Sequence, residues 1–299
     1  MSSEVFWGIG CTFVCILLTI PLLSVLYLAA ESNWEIWHHL LDTSLLRYIG
    51  TTGLLLLGVG IVVLMTGVGT AWLVTMYDFP MKSSFEWFLI LPLALPSYVV
   101  AYAYTDLLEY SGFIQSTLRN TFNFGPDDYW FPDIRSIGGA CLVMGFVLYP
   151  YVYLLARSAF LEQSVSALEA NSVLGGGPID TFINVSFPSA RPAIVVGTSL
   201  ALMETMNDYG TVDFFAVPTL TAGLIDVWLG MNSLSSAAQI ASLMLTIVVI
   251  ILVVEQISRA NQRLYQQESS RFSKLPIVQL EGKKGLCALF FCALPVIVG

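Results

Sequence analysis

Charged residues are scarce in this sequence: only 11% of its 299 positions are Asp, Glu, Lys or Arg, whereas about 25% is usual for soluble domains. Apolar residues make up 56%, and the mean hydropathy is +0.76. The formal net charge of −9 excludes the basic surface that nucleic-acid-binding proteins need. The composition also excludes a disordered chain and a soluble single domain, and it leaves a bundle of membrane-spanning helices.

Cysteine is also scarce, and its placement excludes a secreted disulfide scaffold. The five cysteines all lie inside apolar runs: Cys11, Cys15, Cys141, Cys287 and Cys292. Free cysteine in such surroundings behaves as a small hydrophobic residue. We therefore interpret these positions as packing residues of membrane helices.

Six stretches are long and apolar enough to cross a bilayer, which takes about 20 residues as a helix. They are Phe6–Ala30, Tyr48–Tyr77, Trp87–Thr105, Ser136–Ala156, Pro192–Val217 and Ala237–Val254. The first lacks the basic start and the small-residue cleavage site of a signal peptide, so we interpret it as a permanent helix. The sequence therefore predicts an all-α, polytopic membrane protein with six transmembrane helices.

The distribution of Lys and Arg predicts which loops face the cytoplasm, because basic loops are retained there. With the N-terminus inside, nine basic residues lie on the cytoplasmic side: Lys82, Arg157, Arg191, Arg259, Arg263, Arg271, Lys274, Lys283 and Lys284. Three lie on the outer side: Arg47, Arg119 and Arg135. We therefore expect a cytoplasmic N-terminus, a cytoplasmic loop over 157–191, and outer loops over 111–135 and 218–236.

The cytoplasmic loop 157–191 is longer than a simple connection needs. Apolar residues recur at helical spacing ahead of the triplet Gly175–Gly177, and Pro178 suits the first turn of a second helix. That second helix has an apolar face: Phe182, Ile183 and Phe187. We expect it to end before Pro188. The loop thus predicts a helix, a turn and a helix in the cytoplasm; the alternative is an amphipathic hairpin lying on the membrane.

Acidic residues in the fifth predicted helix are costly in a membrane and indicate function by default. Glu204, Asp208 and Thr211 follow one another at spacings of four and three, so a continuous helix would place them on one face. Tyr102 of the third helix would add a phenolic oxygen, with Asp106 one turn beyond. Such oxygens suit a hard cation such as Fe³⁺. The alternative is structural: Glu204 hydrogen-bonds a neighbouring helix, and Asp208 caps its own.

Another apolar run, Gly285–Gly299, follows a polar stretch and is 15 residues long. A complete span needs about 20. Either the run begins a seventh helix of a longer chain, which we favour, or it lies as a stub at the membrane surface. We accordingly divide the sequence into a transmembrane unit over 1–258, a cytoplasmic linker over 259–284 and the start of a second unit over 285–299.

The cytoplasmic loop resembles the EAA motif of the permease subunits of binding-protein-dependent ABC importers. The motif is Glu-Ala-Ala, three residues, Gly, nine residues and Ile-x-Leu-Pro, and the corresponding residues here are Glu169, Ala170, Asn171, Gly175, Val185, Ser186, Phe187 and Pro188. Asn171 departs from the pattern. The resemblance implies the type I ABC importer permease fold and a loop that couples the permease to separate ATP-hydrolysing subunits.

The same resemblance implies that the chain lies in the bacterial inner membrane. It also implies three kinds of partner: two cytoplasmic ATP-binding subunits, an extracytoplasmic substrate-binding protein, and a second permease half that is fused or supplied by a homodimer. The sequence shows no phosphate-binding glycine loop. We therefore expect a transporter subunit without enzymatic activity or a cofactor of its own, with ATP used by the partners.

Two further stretches resemble the ferric-iron branch of these permeases. They are Glu86–Asp106, with its paired prolines, and Met206–Val212, continuing through Trp228. Gly285–Gly299 resembles the opening of the second half of a fused, duplicated permease. This resemblance implies Fe³⁺ as the cargo, and we add Tyr209, the aromatic residue of the second stretch, to the candidate pathway.

Two alternatives remain open for the function. The chain could be an ABC importer permease for another small ion or polar solute. It could also be an ion-driven secondary transporter or channel that uses Glu204 and Asp208 and needs no ATPase.

Overall fold

The computed structural model describes residues 3–31, 34–125, 128–260 and 277–299. Part of the predicted linker, 261–276, lies outside them. The α-helices of these described residues are α1 Ser3–Ala30, α2 Trp34–Thr43, α3 Leu45–Met76, α4 Lys82–Phe88, α5 Ser97–Leu108, α6 Phe113–Phe122, α7 Ile137–Leu161, α8 Val165–Val173, α9 Pro178–Thr181, α10 Phe187–Asn207, α11 Gly210–Phe214, α12 Leu220–Ile225, α13 Leu234–Ala260 and α14 Lys283–Val298.

Shorter elements complete the regular structure of the described residues. A 3₁₀ helix covers Leu91–Ala94, and π-helical turns cover Phe182–Ser186 and Asp226–Gly230. The strands β1 (Tyr77–Asp78) and β2 (Val278–Gln279) pair in parallel.

Five helical stretches are long and apolar enough to cross a membrane. They are Trp7–Ala30, Leu45–Met76, Ile137–Leu161, Pro178–Asn207 and Leu234–Arg259. A sixth span is available if Lys82–Ala94 and Ser97–Phe122 are taken together, although they meet at an angle of 92°. The predicted all-α, polytopic architecture is confirmed, with five apolar spans, or six if the bent pair is one span.

The broken span is the third, and here the predicted continuous helix over Trp87–Thr105 is wrong. The chain leaves the helical conformation at Leu95 and Pro96, whose ψ angles are 130° and 136°. Proline has no N–H to donate and forces the residue before it into an extended conformation. Pro96 therefore ends the first segment at Ala94 and lets α5 begin at Ser97.

The fifth span also differs from the predicted Pro192–Val217. The loop's second helix does not end before Pro188, because the π-helical turn joins α9 to α10 without a gap. In that turn the N–H of Phe187 donates to the carbonyl of Phe182, five residues earlier. Pro188 is the second residue of α10, and because it has no N–H to donate to the preceding turn, it interrupts the regular α-helical hydrogen bonding there.

The described chain divides into two compact units, and the first combines Met1–Thr52 with Pro218–Ile250. Its core is apolar: Leu40, Leu45, Leu220, Val227, Ala237 and Ile240. The hydroxyl of Thr52 accepts a hydrogen bond from the N–H of Leu220 at 2.9 Å. The apolar part of helix α1, by contrast, has no buried residues, so its side chains are available to lipid or to another chain.

The second unit combines Gly53–Val217 with Ile251–Gly299. Its helices approach closely at small residues. A Cβ added to Gly67 of α3 would lie 2.7 Å from the Cβ of Val152 in α7. A Cβ added to Gly197 of α10 would lie 2.8 Å from the Cα of the same Val152. Both helices therefore contact α7 backbone to backbone, as membrane helices do at glycine.

Helix α14, the predicted start of a further transmembrane unit, packs within the second unit. A Cβ added to Gly69 of α3 would lie 3.0 Å from the ring of Phe291 in α14. The Tyr104 hydroxyl of α5 donates to the carbonyl of Val298 in α14 at 2.6 Å. Cys292 is fully buried, as its interpretation as a packing residue predicts. The 16 residues of α14 reach about 24 Å, which is less than the ~30 Å of a bilayer core.

Candidate coupling loop and helix-break site

The predicted helix, turn and helix are present in loop 157–191. Helix α8 begins at a capping serine, since the Ser164 hydroxyl accepts from the N–H of Ala167 at 3.4 Å. Gly175 follows α8 with a φ of +85°, a left-handed conformation that only glycine adopts easily. Helix α9 then starts at Pro178, with the Asp180 carboxylate accepting from the N–H of Gly177 at 3.1 Å.

Asn171 ties the two arms of the loop together, although the sequence marked it only as a departure from the motif. Its amide nitrogen donates to the Thr181 hydroxyl at 2.9 Å, which joins α8 to α9. The side chain also lies over Gly176, where an added Cβ would come within 2.3 Å of it. An alanine at position 171 could not make this bond, so the departure has a structural use.

The loop presents an apolar face to its surroundings. Its four most exposed large apolar side chains are Val173 at 87%, Leu174 at 87%, Ile179 at 73% and Ile183 at 56%. Glu169 and Ala170 are exposed on α8, whereas Val185, Phe187 and Pro188 are half-buried. The candidate coupling residues therefore fall into an exposed group on α8 and a partly buried group at the start of α10. We name Val173, Leu174, Ile179 and Ile183 the loop face.

Two ion pairs of the second unit lie at opposite ends of α7. Arg157, four residues before the end of this helix, pairs with Glu86 at 2.8 Å. Arg135, just before its first residue, pairs with Glu109 at 2.9 Å. These two arginines, which the sequence assigns to different sides of the membrane, are thus separated by the length of the helix. Which end faces the cytoplasm remains a prediction.

The second candidate region is where the third and fifth spans are interrupted, and Asp208 lies at its centre. Helix α10 ends at Asn207, so Glu204, Asp208 and Thr211 do not share one continuous helical face as predicted. The Asp208 carboxylate instead accepts from the N–H and the hydroxyl of Thr211, at 2.7 and 2.8 Å, and from the Ser97 hydroxyl. Asp208 therefore accepts from the first turn of α11 and joins it to the first residue of α5.

Packing at this helix-break site brings α5 against α11. A Cβ on Gly210 would lie 3.0 Å from the Cβ of Tyr98, and the Tyr102 ring lies 5.3 Å from that of Phe214. Tyr209 is 37% exposed.

The structure does not gather all the candidate pathway residues. Glu204 and Asp106 both have exposed side chains. Within the described ranges, no group of three or more His, Cys, Asp or Glu could hold a metal ion.

Five or six apolar helical spans, two of them interrupted, define a polytopic membrane protein. The chain belongs to the family of binding-protein-dependent transport system inner membrane components, whose model matches residues 64–265. It is therefore a transport protein of the inner membrane. Its partners are a substrate-binding protein and the ATP-binding subunits with which ABC importer permeases pair.

Curated relatives are similar over much of the chain. The sulfate transport system permease protein CysT of Escherichia coli (strain K12) is 26% identical over 210 residues, which is 70% of this chain and 73% of CysT. The "Putative 2-aminoethylphosphonate transport system permease protein PhnU" of Salmonella choleraesuis (strain SC-B67) is 30% identical over 177 residues, 58% of this chain and 57% of PhnU.

A solved structure shares the fold. It is the crystal structure of a bacterial alginate ABC transporter in complex with an alginate pentasaccharide-bound periplasmic protein. One of its chains matches with a TM-score of 0.64 and 13% identity, covering 89% of this chain and 96% of that chain. The similarity supports the type I importer permease fold.

Proposed function

We propose that the chain moves its cargo across the inner membrane when ATP-binding subunits act on loop 157–191. The loop face carries this proposal, because four large apolar side chains lie exposed on a helix, turn and helix that matches the EAA motif. Exposed apolar groups on a structured loop indicate a protein contact. A rigid turn at Gly175 allows the two arms to transmit a displacement together.

We further propose that the cargo is a small oxyanion of the sulfate or phosphonate class. The names of CysT and PhnU favour this class. The donors of the helix-break site are already used by the Asp208 carboxylate, so the proposal of an oxyanion is supported by the names of these relatives and not by that site.

Ferric iron is the second candidate, favoured by the likeness of Met206–Val212 to ferric-iron permeases and by the carboxylate of Glu204. Fe³⁺ prefers such oxygen ligands. The names of CysT and PhnU give iron no support. Oxyanion transport is therefore the first hypothesis to test.

An uptake comparison tests the function and the cargo together. The complete complex, with its binding protein and ATP-binding subunits, is reconstituted in vesicles. Uptake of [³⁵S]sulfate, labelled 2-aminoethylphosphonate and ⁵⁵Fe³⁺ is then measured with and without ATP. We expect ATP-dependent uptake of an oxyanion that excess iron does not reduce. ATP-dependent ⁵⁵Fe³⁺ uptake alone would assign iron, and uptake without ATP would favour a secondary transporter.

A further inference from the structure

An aromatic cluster joins the coupling loop to neighbouring helices of the second unit. It consists of Trp72 of α3, Phe160 of α7, Phe182 of the π-helical turn and Phe187 of α10. The Trp72 ring lies 5.1 Å from that of Phe182 and 5.4 Å from that of Phe160. The rings of Phe182 and Phe187 are 5.8 Å apart. The cluster therefore joins the second arm of the loop to two membrane helices.

The cluster is placed where both helices end. Trp72 is four residues before the end of α3, and Phe160 is one residue before the end of α7. Phe160 is fully buried, and the tilted and edge-to-face ring geometries are those that aromatic pairs favour. A polar contact adds to this attachment, since the amide of Gln163 donates to the sulfur of Met76 at 3.2 Å.

One short segment serves both surfaces. Phe182 and Ile183 begin the π-helical turn, and neighbouring residues on a helix point about 100° apart. The Phe182 ring contacts Trp72, while Ile183 is 56% exposed on the loop face. Displacement of the loop face must therefore move Phe182 against the ends of α3 and α7.

We propose that Trp72, Phe160 and Phe182 are positioning residues that carry displacement of the loop into the membrane helices. This inference rests on the proposed function. Interior packing is dense and resists compression, so a ring cluster transmits a push that a looser aliphatic contact would absorb. Removing a ring should therefore weaken the link between ATP hydrolysis and transport more than it weakens either partner's binding.

The test uses the complete complex in vesicles with [³⁵S]sulfate as the first probe, or ⁵⁵Fe³⁺ if the uptake comparison selects iron. Uptake per ATP hydrolysed is measured for Trp72→Leu, Phe182→Leu, the conservative Trp72→Phe and the matched control Phe85→Leu. Phe85 is a buried phenylalanine of the same unit, with Phe79 and Phe88 as its ring neighbours. Binding of the ATP-binding subunits is measured by co-purification.

We expect Trp72→Leu and Phe182→Leu to keep the ATP-binding subunits bound and to lower uptake per ATP about tenfold. Trp72→Phe and Phe85→Leu should both keep uptake per ATP hydrolysed at the wild-type value. A ratio that stays at the wild-type value in both Leu variants, or loss of the ATP-binding subunits from both, would overturn the inference. Absence of ATP-dependent uptake in the wild-type complex would instead overturn the proposed function on which it rests.

Discussion

Asp208 illustrates how a membrane carboxylate can serve the fold. It accepts three hydrogen bonds, two from Thr211 and one from Ser97, and so connects the two interrupted spans. Thr211 is fully buried, so its donors have no access to water once Asp208 is removed. Glu204, one turn earlier in α10, is exposed. The two carboxylates therefore differ in what their removal should cost.

Asp208→Ala should destabilise the protein by about 1–3 kcal/mol, because it leaves buried donors of Thr211 unsatisfied. The purified variant in detergent should show a lower midpoint of thermal unfolding than wild type. Glu204→Gln is the matched control, since it should leave that midpoint unchanged while lowering uptake if Glu204 lines the pathway. An unchanged midpoint for Asp208→Ala would contradict this stabilising role.

The sequence could identify these residues but not their arrangement. The spacing of Glu204, Asp208 and Thr211 predicts one helical face, but α10 ends at Asn207 and the Asp208 carboxylate accepts from Thr211 of the next helix, α11. Likewise, Asn171 departs from the EAA motif, and its bond to Thr181 depends on a turn whose geometry no periodicity encodes. Trp72 gave no signal at all, because a tryptophan in an apolar helix is most often packing or an interface anchor.

At the scale of elements, the turn at Gly175 sets the angle between the two arms of the coupling loop. Its φ of +85° is strained for any residue with a Cβ. Gly177, two residues later, has a φ of −78°, and a Cβ there would meet only the Asp180 carboxylate at 3.7 Å, an ordinary contact. Two glycines of one triplet thus have different roles.

Gly175→Val should abolish ATP-dependent uptake while the protein remains in the membrane, because a β-branched residue forces the turn out of its left-handed conformation. Gly177→Ala should keep uptake within about twofold of wild type, since alanine tolerates that backbone. Both are measured in membrane vesicles with protein levels checked by immunoblotting. Normal uptake by Gly175→Val would count against a rigid coupling loop.

The ends of helices could be predicted where composition determines them. They could not be predicted where local backbone hydrogen bonding determines them. The five long spans follow from apolar length, and the helix, turn and helix of loop 157–191 follows from spacing and glycine. Pro96 is visible in the sequence, but the apolar run on both sides of it predicts one continuous helix, and the structure interrupts the helix there. The π-helical turn that carries α9 into α10 has no sequence signature, so Pro188 was wrongly expected to end a helix.

At the scale of the whole molecule, composition was enough to establish a membrane bundle, and the EAA resemblance was enough to place it in its family. Cargo is the property least accessible to such reasoning. Carboxylates within a span suggested a cation, whereas Asp208 is already satisfied by donors and the relatives carry names of oxyanion systems. The placement of α14 within the second unit was also unforeseen, because a short apolar run does not specify its packing partner.

In the proposed function, ATP-binding subunits drive this permease through the loop face. The most direct measurement is uptake by vesicles containing the complete complex, compared for wild type and Leu174→Asp, which places a charge on a side chain that is 87% exposed. We predict that wild-type uptake requires ATP, and that Leu174→Asp loses both uptake and co-purification with the ATP-binding subunits while its thermal stability is unchanged. Uptake by the permease without those subunits, driven by an ion gradient and unaffected by Leu174→Asp, would contradict the account.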